Sequence, residues 1–232
     1  MKEFKEDLEQ LIHRLKLKKP FTFSKYADGE FAILINQKIT NCDNWTFDPL
    51  LHSYEQKLLL DSFKYTGKNY IVGISCKCCV PASHVKWMRD VVGTNKVTWA
   101  NLFVNSNYPI VKEKIFPIFD NWDENVTLVA NEQGLNRELP FKVDNYIPIT
   151  IGSWFNPDLD IIIEKMKKLA ESASNQLFLF SAGPLGNILA HQLHELNSEN
   201  TYIDIGSTIN PWVTRDNRGY LKENATLKTC IW

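Results

Sequence analysis

Apolar positions along this chain alternate between helical and strand-like spacing. Phe4, Leu8, Leu11, Ile12 and Leu15 fall on one face of an opening helix. Phe21 to Ser24 reads as a short strand, and a helix from about Gly29 turns Phe31, Leu34 and Ile35 inward. Tyr54, Leu58 and Phe63 mark another helix, and Tyr70 to Ile74 a buried strand. Val85, Met88 and Val92 predict a helix, and Ile110 to Phe119 one more. Val126 to Ala130 and Tyr146 to Ile151 read as strands.

The last third is the clearest. A helix runs from Asp158 to Leu169, an apolar strand from Leu177 to Phe180, a helix from Leu185 to Leu196, and a strand from Tyr202 to Ile205. Continuous apolar strands separated by helices predict an α/β, Rossmann-like fold, with a mostly parallel sheet flanked by helices on both faces. No linker or repeat divides the 232 residues, so one domain is expected over 1–232. Residues 1–19 hold the N-terminal helix and 210–232 an irregular tail.

In such sheets ligands sit beyond the carboxyl ends of the strands. Those ends carry Asp28 and Glu30, Ser75 and Cys76, Asn131 and Glu132, Ser153 and Trp154, Ser181 to Pro184, and Asp204 to Ser207. Asp28 and Glu30 flank Gly29 with Lys25 and Tyr26 just before them. Carboxylates this close repel unless a positive group or a hydrogen-bonding ligand compensates. Asp28 could instead serve as the N-cap of the following helix. Ser181-Ala182-Gly183-Pro184 joins a strand to a helix. Backbone can approach a ligand closely at Gly183, and the helix start favours an anion, although a Gly-Pro turn also simply starts helices. It is neither the dinucleotide fingerprint nor a Walker loop. Asp204 lies inside a strand, where an acid must bind something or cap a neighbouring loop. Glu132 either complements a helix dipole or faces a ligand as base or hydroxyl acceptor.

Composition narrows the classes. The net charge of −1 gives no sign of a nucleic-acid partner or an anionic membrane surface, and no apolar run is long enough to span a bilayer. Seven tryptophans suit a large core or stacking platforms for bases and sugars. The five cysteines are an odd count, which argues against a secreted disulfide framework. Cys76, Cys78 and Cys79 lack a second paired unit for a structural zinc, with His84 the only nearby candidate, so reduced thiols of a cytoplasmic protein are expected. His191 and His194 read as one polar helix face, and His13 and His52 as surface positions.

Taken together, Ser24-Lys25-Tyr26-Ala27-Asp28-Gly29-Glu30-Phe31 resembles the Arg-Tyr/Phe-Gly-Asp-Gly-Glu-Phe signature of the GT-D type glycosyltransferases, first described as a bacterial domain of unknown function in adhesin glycosylation. Leu179 to Gly186 is similar to that family's strand, Gly-Pro turn and helix. Tyr202 to Gly206 is similar to its closing Ile-Asp-Ile-Gly strand, and Glu132-Gln133-Gly134 falls where the family has a Glu-Gly loop. Lys25 departs from the family's Arg and Ala27 from its Gly.

The resemblance implies transfer of a sugar from a nucleotide-diphosphate donor, a UDP-sugar by preference, to a glycan, glycoprotein or other hydroxyl acceptor. It implies Asp28, Glu30 and Glu132 as catalytic residues. Donor binding would fall to Lys25, Tyr26, Gly29, Ser153, Trp154, Ser181, Gly183, Pro184, Asp204 and Gly206. Asp28 and Glu30 would also be ligands for Mg²⁺ or Mn²⁺. The rival readings are a non-catalytic sugar-nucleotide or glycan-binding module and a nucleotide-dependent phosphotransferase or hydrolase.

Overall fold

The computed structural model describes residues 4–41, 44–214 and 218–221. In chain order the elements are α1 (Phe4–Lys16), β1 (Thr22–Tyr26), α2 (Asp28–Leu34), β2 (Ile39–Thr40), β3 (Thr46–Phe47), α3 (Ser53–Lys64), β4 (Tyr70–Ile74), α4 (Ala82–Val91) and β5 (Val97–Trp99). There follow α5 (Tyr108–Ile110), α6 (Phe116–Asp120), β6 (Val126–Asn131), β7 (Asn145–Ile149), α7 (Asp158–Glu171), β8 (Leu177–Ser181), α8 (Pro184–Leu196), β9 (Thr201–Asp204) and α9 (Asn210–Val213).

Seven strands form one sheet in the order β5-β4-β1-β9-β8-β6-β7. Every neighbouring pair is parallel. The chain builds outward from β1 to β5, then fills the other half and returns beside β1 with β9. The strand order therefore turns at β1 and β9, and in such sheets the crevice that takes a ligand lies beyond the carboxyl ends at this turn.

Alternation along the strands sorts the core into two layers. Phe178 and Phe180 of β8 pack with Tyr26, Tyr70, Tyr202 and helices α2, α3, α4, α7 and α8. Leu177 and Leu179 face the other way, toward Phe21, Phe23, α1 and the helical stretch at 108–120. All four β8 side chains are fully buried. At about 1.5–3 kcal/mol each, they fix the inward registry of this strand. Helices thus cover both faces, as the sequence predicts.

Several expectations shift. The helix expected at 110–119 is a continuous helical stretch in which a π turn at Val111–Ile115 separates α5 from α6. Pro117 has no N–H to give to the Glu113 carbonyl, and the wider turn accommodates the missing bond. Ile35 is 37% exposed at the end of α2, and Ile33 takes the buried place expected for it. Ile151 lies in a turn beyond β7 and is exposed. The β2–β3 hairpin and β5, absent from the sequence reading, are strands of two and three residues. Cys42, Cys230 and Arg215 lie outside the described residues. Among the described residues no helix is long and apolar enough to cross a membrane.

A buried polar network locks α8 against β1. Asn187 Nδ2 donates to Ser24 Oγ at 2.9 Å and to the Lys25 carbonyl at 2.6 Å. Ser62 Oγ donates to the Asn187 carbonyl at 2.8 Å, and the hydroxyls of Tyr26 and Tyr70 approach it at 2.5 and 3.2 Å. With its one proton engaged, Ser62 accepts from both tyrosines. His194, expected on a polar face, is buried with Nδ1 2.8 Å from Thr22 Oγ1. Burial holds its pKa down at about 4.

Asn187→Leu leaves the Lys25 carbonyl and Ser24 hydroxyl without their donor, and should lower unfolding free energy by about 2 kcal/mol in urea denaturation. A loss below about 0.5 kcal/mol, as for an ordinary surface change, counts against this network as the lock.

Candidate active site

β1 ends at Tyr26, and Ala27, in extended conformation, is the N-cap of α2. Asp28 is therefore the first helical residue rather than the cap, and its side chain is exposed. Ala27 has no side-chain acceptor. The stabilising contact comes from Glu30, whose Oε2 accepts the Ala27 N–H at 2.9 Å. Both acids sit at the positive end of the helix, and Glu30 is buried.

Lys25, half-buried on β1, is the positive centre of the crevice. Burial alone would lower its pKa; Glu30, Asp204, Tyr220 and Asp28 outweigh this and raise it. The stem of Lys25 passes over Gly206, where a Cβ would lie 2.3 Å from Lys25 Cε. Gly206 also has φ +54°, so a side chain there is excluded twice.

Asp204, at the end of β9, is 2% exposed. Its Oδ1 accepts the Gly206 N–H at 2.9 Å. Its carboxyl lies against Gly186 of α8, 3.7 Å from where a Cβ would stand. Burial pushes its pKa up to about 7; Lys25 pulls against that and Glu30 adds to it.

The third corner is the start of α8. Gly183 has φ +55° and ψ −141°, a conformation open to glycine, and Pro184 opens the helix. Trp45, on the turn before β3, bridges this corner to the first one. Its Nε1 lies 3.8 Å from the Cβ position of Gly183, and its Cζ2 lies 3.3 Å from that of Gly29. The Asp28–Glu30 bend and the Gly183–Pro184 turn thus share one wall. Sequence reasoning missed Trp45; the signal was Ile39-Thr40 and Thr46-Phe47 flanking an Asn-containing turn.

Most other expected residues take different places. Tyr26 is fully buried, its ring 4.7 Å from Phe63 and its hydroxyl on Ser62, so its side chain belongs to the core. Ser153 is buried in a local turn, with its Oγ accepting the Thr150 N–H at 2.9 Å. Trp154 is 2% exposed among Trp45, Phe47 and Phe155, and its Nε1 is buried without a hydrogen-bond partner. Its rings back Trp45 rather than offering an open face. Ser181 ends β8 and Glu132 is exposed beyond β6, two strands from β9. Tyr220, from the segment expected to be an irregular tail, touches Ser207 Oγ and stands near Lys25.

Asp28 and Glu30 were expected to hold Mg²⁺ or Mn²⁺. Both influence Lys25 electrostatically, and one Glu30 oxygen is engaged by Ala27. A hard divalent ion takes about six oxygens or more, and Asp28 with the other Glu30 oxygen are the donors this bend would offer it. The local positive charge is Lys25 itself.

No family model matches the chain, and no curated protein matches it. Solved structures do. A selenomethionine-substituted structure of domain of unknown function 1792 aligns at TM-score 0.61 and 13% identity, covering 91% of this chain and 79% of that one. A structure described as a new glycosyltransferase of this domain type, from Streptococcus sanguinis, aligns at TM-score 0.62 and 12% identity, covering 88% and 81%. A third, described as showing that this domain has a distinct glycosyltransferase fold, aligns at TM-score 0.59 and 12% identity, covering 91% and 79%. At these identities the likeness is one of architecture, and the chain has the fold of the domain of unknown function 1792 structures.

Proposed function

We propose that this protein is a glycosyltransferase that moves a sugar from a nucleoside-diphosphate donor, a UDP-sugar by preference, to a hydroxyl of a glycan or glycoprotein acceptor. The observation that carries this reading is the convergence of Lys25, three carboxylates and the start of α8 on the crevice at β1 and β9. The shared architecture with structures described as glycosyltransferases supports it.

The chemistry follows from charge. The bond between the anomeric carbon and the diphosphate oxygen breaks, and negative charge collects on the leaving diphosphate. Lys25 and the positive end of α8, where Leu185 carries the first N–H, meet that charge. The acceptor oxygen forms the new bond to the anomeric carbon and loses its proton. Asp28, the exposed carboxylate of the group, takes that proton. Glu30 and Asp204 hold Lys25 charged and in place. Gly183 lets the diphosphate approach the backbone, and Trp45 walls the crevice.

UDP should raise the melting temperature of the wild type, because a ligand bound only by the folded state stabilises it. Lys25→Met should lose that shift. Asp28→Asn should keep it while lowering donor turnover per folded molecule by at least about a hundredfold. Undiminished turnover in Asp28→Asn removes Asp28 as the base. UDP binding with no turnover of any donor by the wild type favours the non-catalytic binding module.

The titration of Asp204 has its own signature. A carboxyl raised from 3.8 to about 7 takes up protons in the folded state first, so its contribution to stability falls as pH rises through that window. His194, lowered from 6.5 to about 4, acts in the opposite direction, losing stability as pH falls. Asp204→Asn should therefore become progressively more stabilising relative to wild type from pH 4 to 7, by thermal denaturation. A stability difference that stays constant over this range contradicts the buried, raised Asp204.

A further inference from the structure

The turn after β4 carries a cluster that the proposed transfer chemistry does not use. Cys76, Cys78 and Cys79 bring their sulfurs within 4.8 Å of one another, and among the described residues they are the one such group of three potential metal ligands. The Cys76 and Cys78 sulfurs are 2.8 Å apart, and those of Cys78 and Cys79 3.9 Å apart. We propose that these three cysteines bind a thiophilic divalent ion, Zn²⁺ by preference, as thiolates, with the fourth position open to solvent.

Several independent features point the same way. The backbone forms a preset turn, because the N–H groups of Cys79 and Val80 both reach the Cys76 carbonyl, at 3.0 and 3.1 Å. That turn puts three side chains of a Cys-x-Cys-Cys run on one side. Asn101 aims its amide at the sulfurs, with Nδ2 3.2 Å from Cys79 Sγ and 3.9 Å from Cys76 Sγ. Metal ligands characteristically have such outer hydrogen-bond partners. The Asn101 carbonyl is in turn held by Asn107 Nδ2 at 3.1 Å. Cys76 is buried while Cys78 and Cys79 are exposed, so an ion can reach the cluster from solvent. Zinc–sulfur bonds of about 2.3 Å in a tetrahedron place sulfurs about 3.8 Å apart. Cys78, being exposed, needs only to swing away from Cys76 by about an ångström to meet that spacing.

The location gives the site a use. Ser75 Oγ, on the residue before Cys76, donates to the Tyr26 carbonyl at 3.2 Å. A bound ion would therefore stiffen the loop that flanks the crevice, apart from Lys25 and its acids. The donors are soft sulfurs, which select zinc over magnesium or manganese. Each thiol gives up its proton on binding, so affinity falls as pH is lowered.

The test is titration of the reduced, metal-free full chain with Co²⁺, followed by Zn²⁺. The expected result is thiolate-to-cobalt charge-transfer absorption with tetrahedral visible bands, saturating at one ion per chain and abolished by excess Zn²⁺. Cys78→Ser and Cys79→Ser, both at exposed positions, should each lose the charge-transfer band while keeping the wild-type circular dichroism. Asn101→Ala should weaken binding by about tenfold. No charge-transfer band in the wild type, or a band that survives in Cys78→Ser and Cys79→Ser, overturns the proposal. Donor turnover enters none of these readouts, so they stand or fall separately from the proposed transferase activity.

Discussion

The ammonium of Lys25 is the point on which the crevice is built. An ammonium out of full contact with water is costly unless opposite charge stands beside it. Glu30, Asp28 and Asp204 supply that charge from two elements that are far apart in sequence. The arrangement works only if the lysine stem has room, and Gly206 provides it, since any side chain there would occupy the space of Lys25 Cε. Gly186 lies in ordinary contact with the Asp204 carboxyl from the α8 side, its closest neighbour being Phe180 Cβ. One glycine and four charged residues thus form one unit, and Gly206 is as necessary as the acids.

That unit needs β1 and α8 held in fixed register, and polar bonds do this beneath the apolar layer. Asn187 ties the second turn of α8 to the Lys25 carbonyl, while Ser62 gathers Tyr26, Tyr70 and the Asn187 carbonyl onto one hydroxyl. Side chains of the same size without these groups would pack, but nothing would set the start of α8 relative to the end of β1. Trp45 closes the remaining side by lying against both Gly29 and Gly183.

The sequence discloses the parts of this arrangement that are encoded locally. An apolar run ending in Ser-Ala-Gly-Pro announces β8, its turn and α8, because a buried parallel strand and a proline-started helix each leave a strong composition signal. Asp204 stands out because an acid in a buried strand demands an explanation. Tyr26 was misleading: beside Lys25 and Asp28 it looks like part of a ligand-binding bend, yet strand alternation turns it to the face opposite Lys25 and into the core. β5 was illegible because a strand of three residues has no period to detect, and Trp45 was overlooked because the two-residue strands beside it are marked only by the Asn residues between them. Trp154 and Trp45 cannot be told apart by composition; only the tertiary fold decides which backs the wall and which forms it. Tyr220 lies beyond the last periodic element, and its place near Lys25 depends wholly on the chain folding back.

Charge counting explains why Asp204 differs from its neighbours. Lys25 contributes one positive charge, and Asp28, Glu30 and Asp204 together would contribute three negative charges if all were ionised. A diphosphate entering such a site would meet a surplus of its own sign. Asp28 is exposed to water, and Glu30 accepts the Ala27 N–H at the start of α2. Asp204, the most buried of the three, carries the raised pKa, near 7, and is therefore the acid that gives up its charge most readily. In the proposed transfer, a proton on Asp204 would leave Lys25 a larger share of attraction for an incoming phosphate without disturbing Asp28. The depth of β9 in the sheet, rather than any special residue, sets this division between an open acid and a buried one.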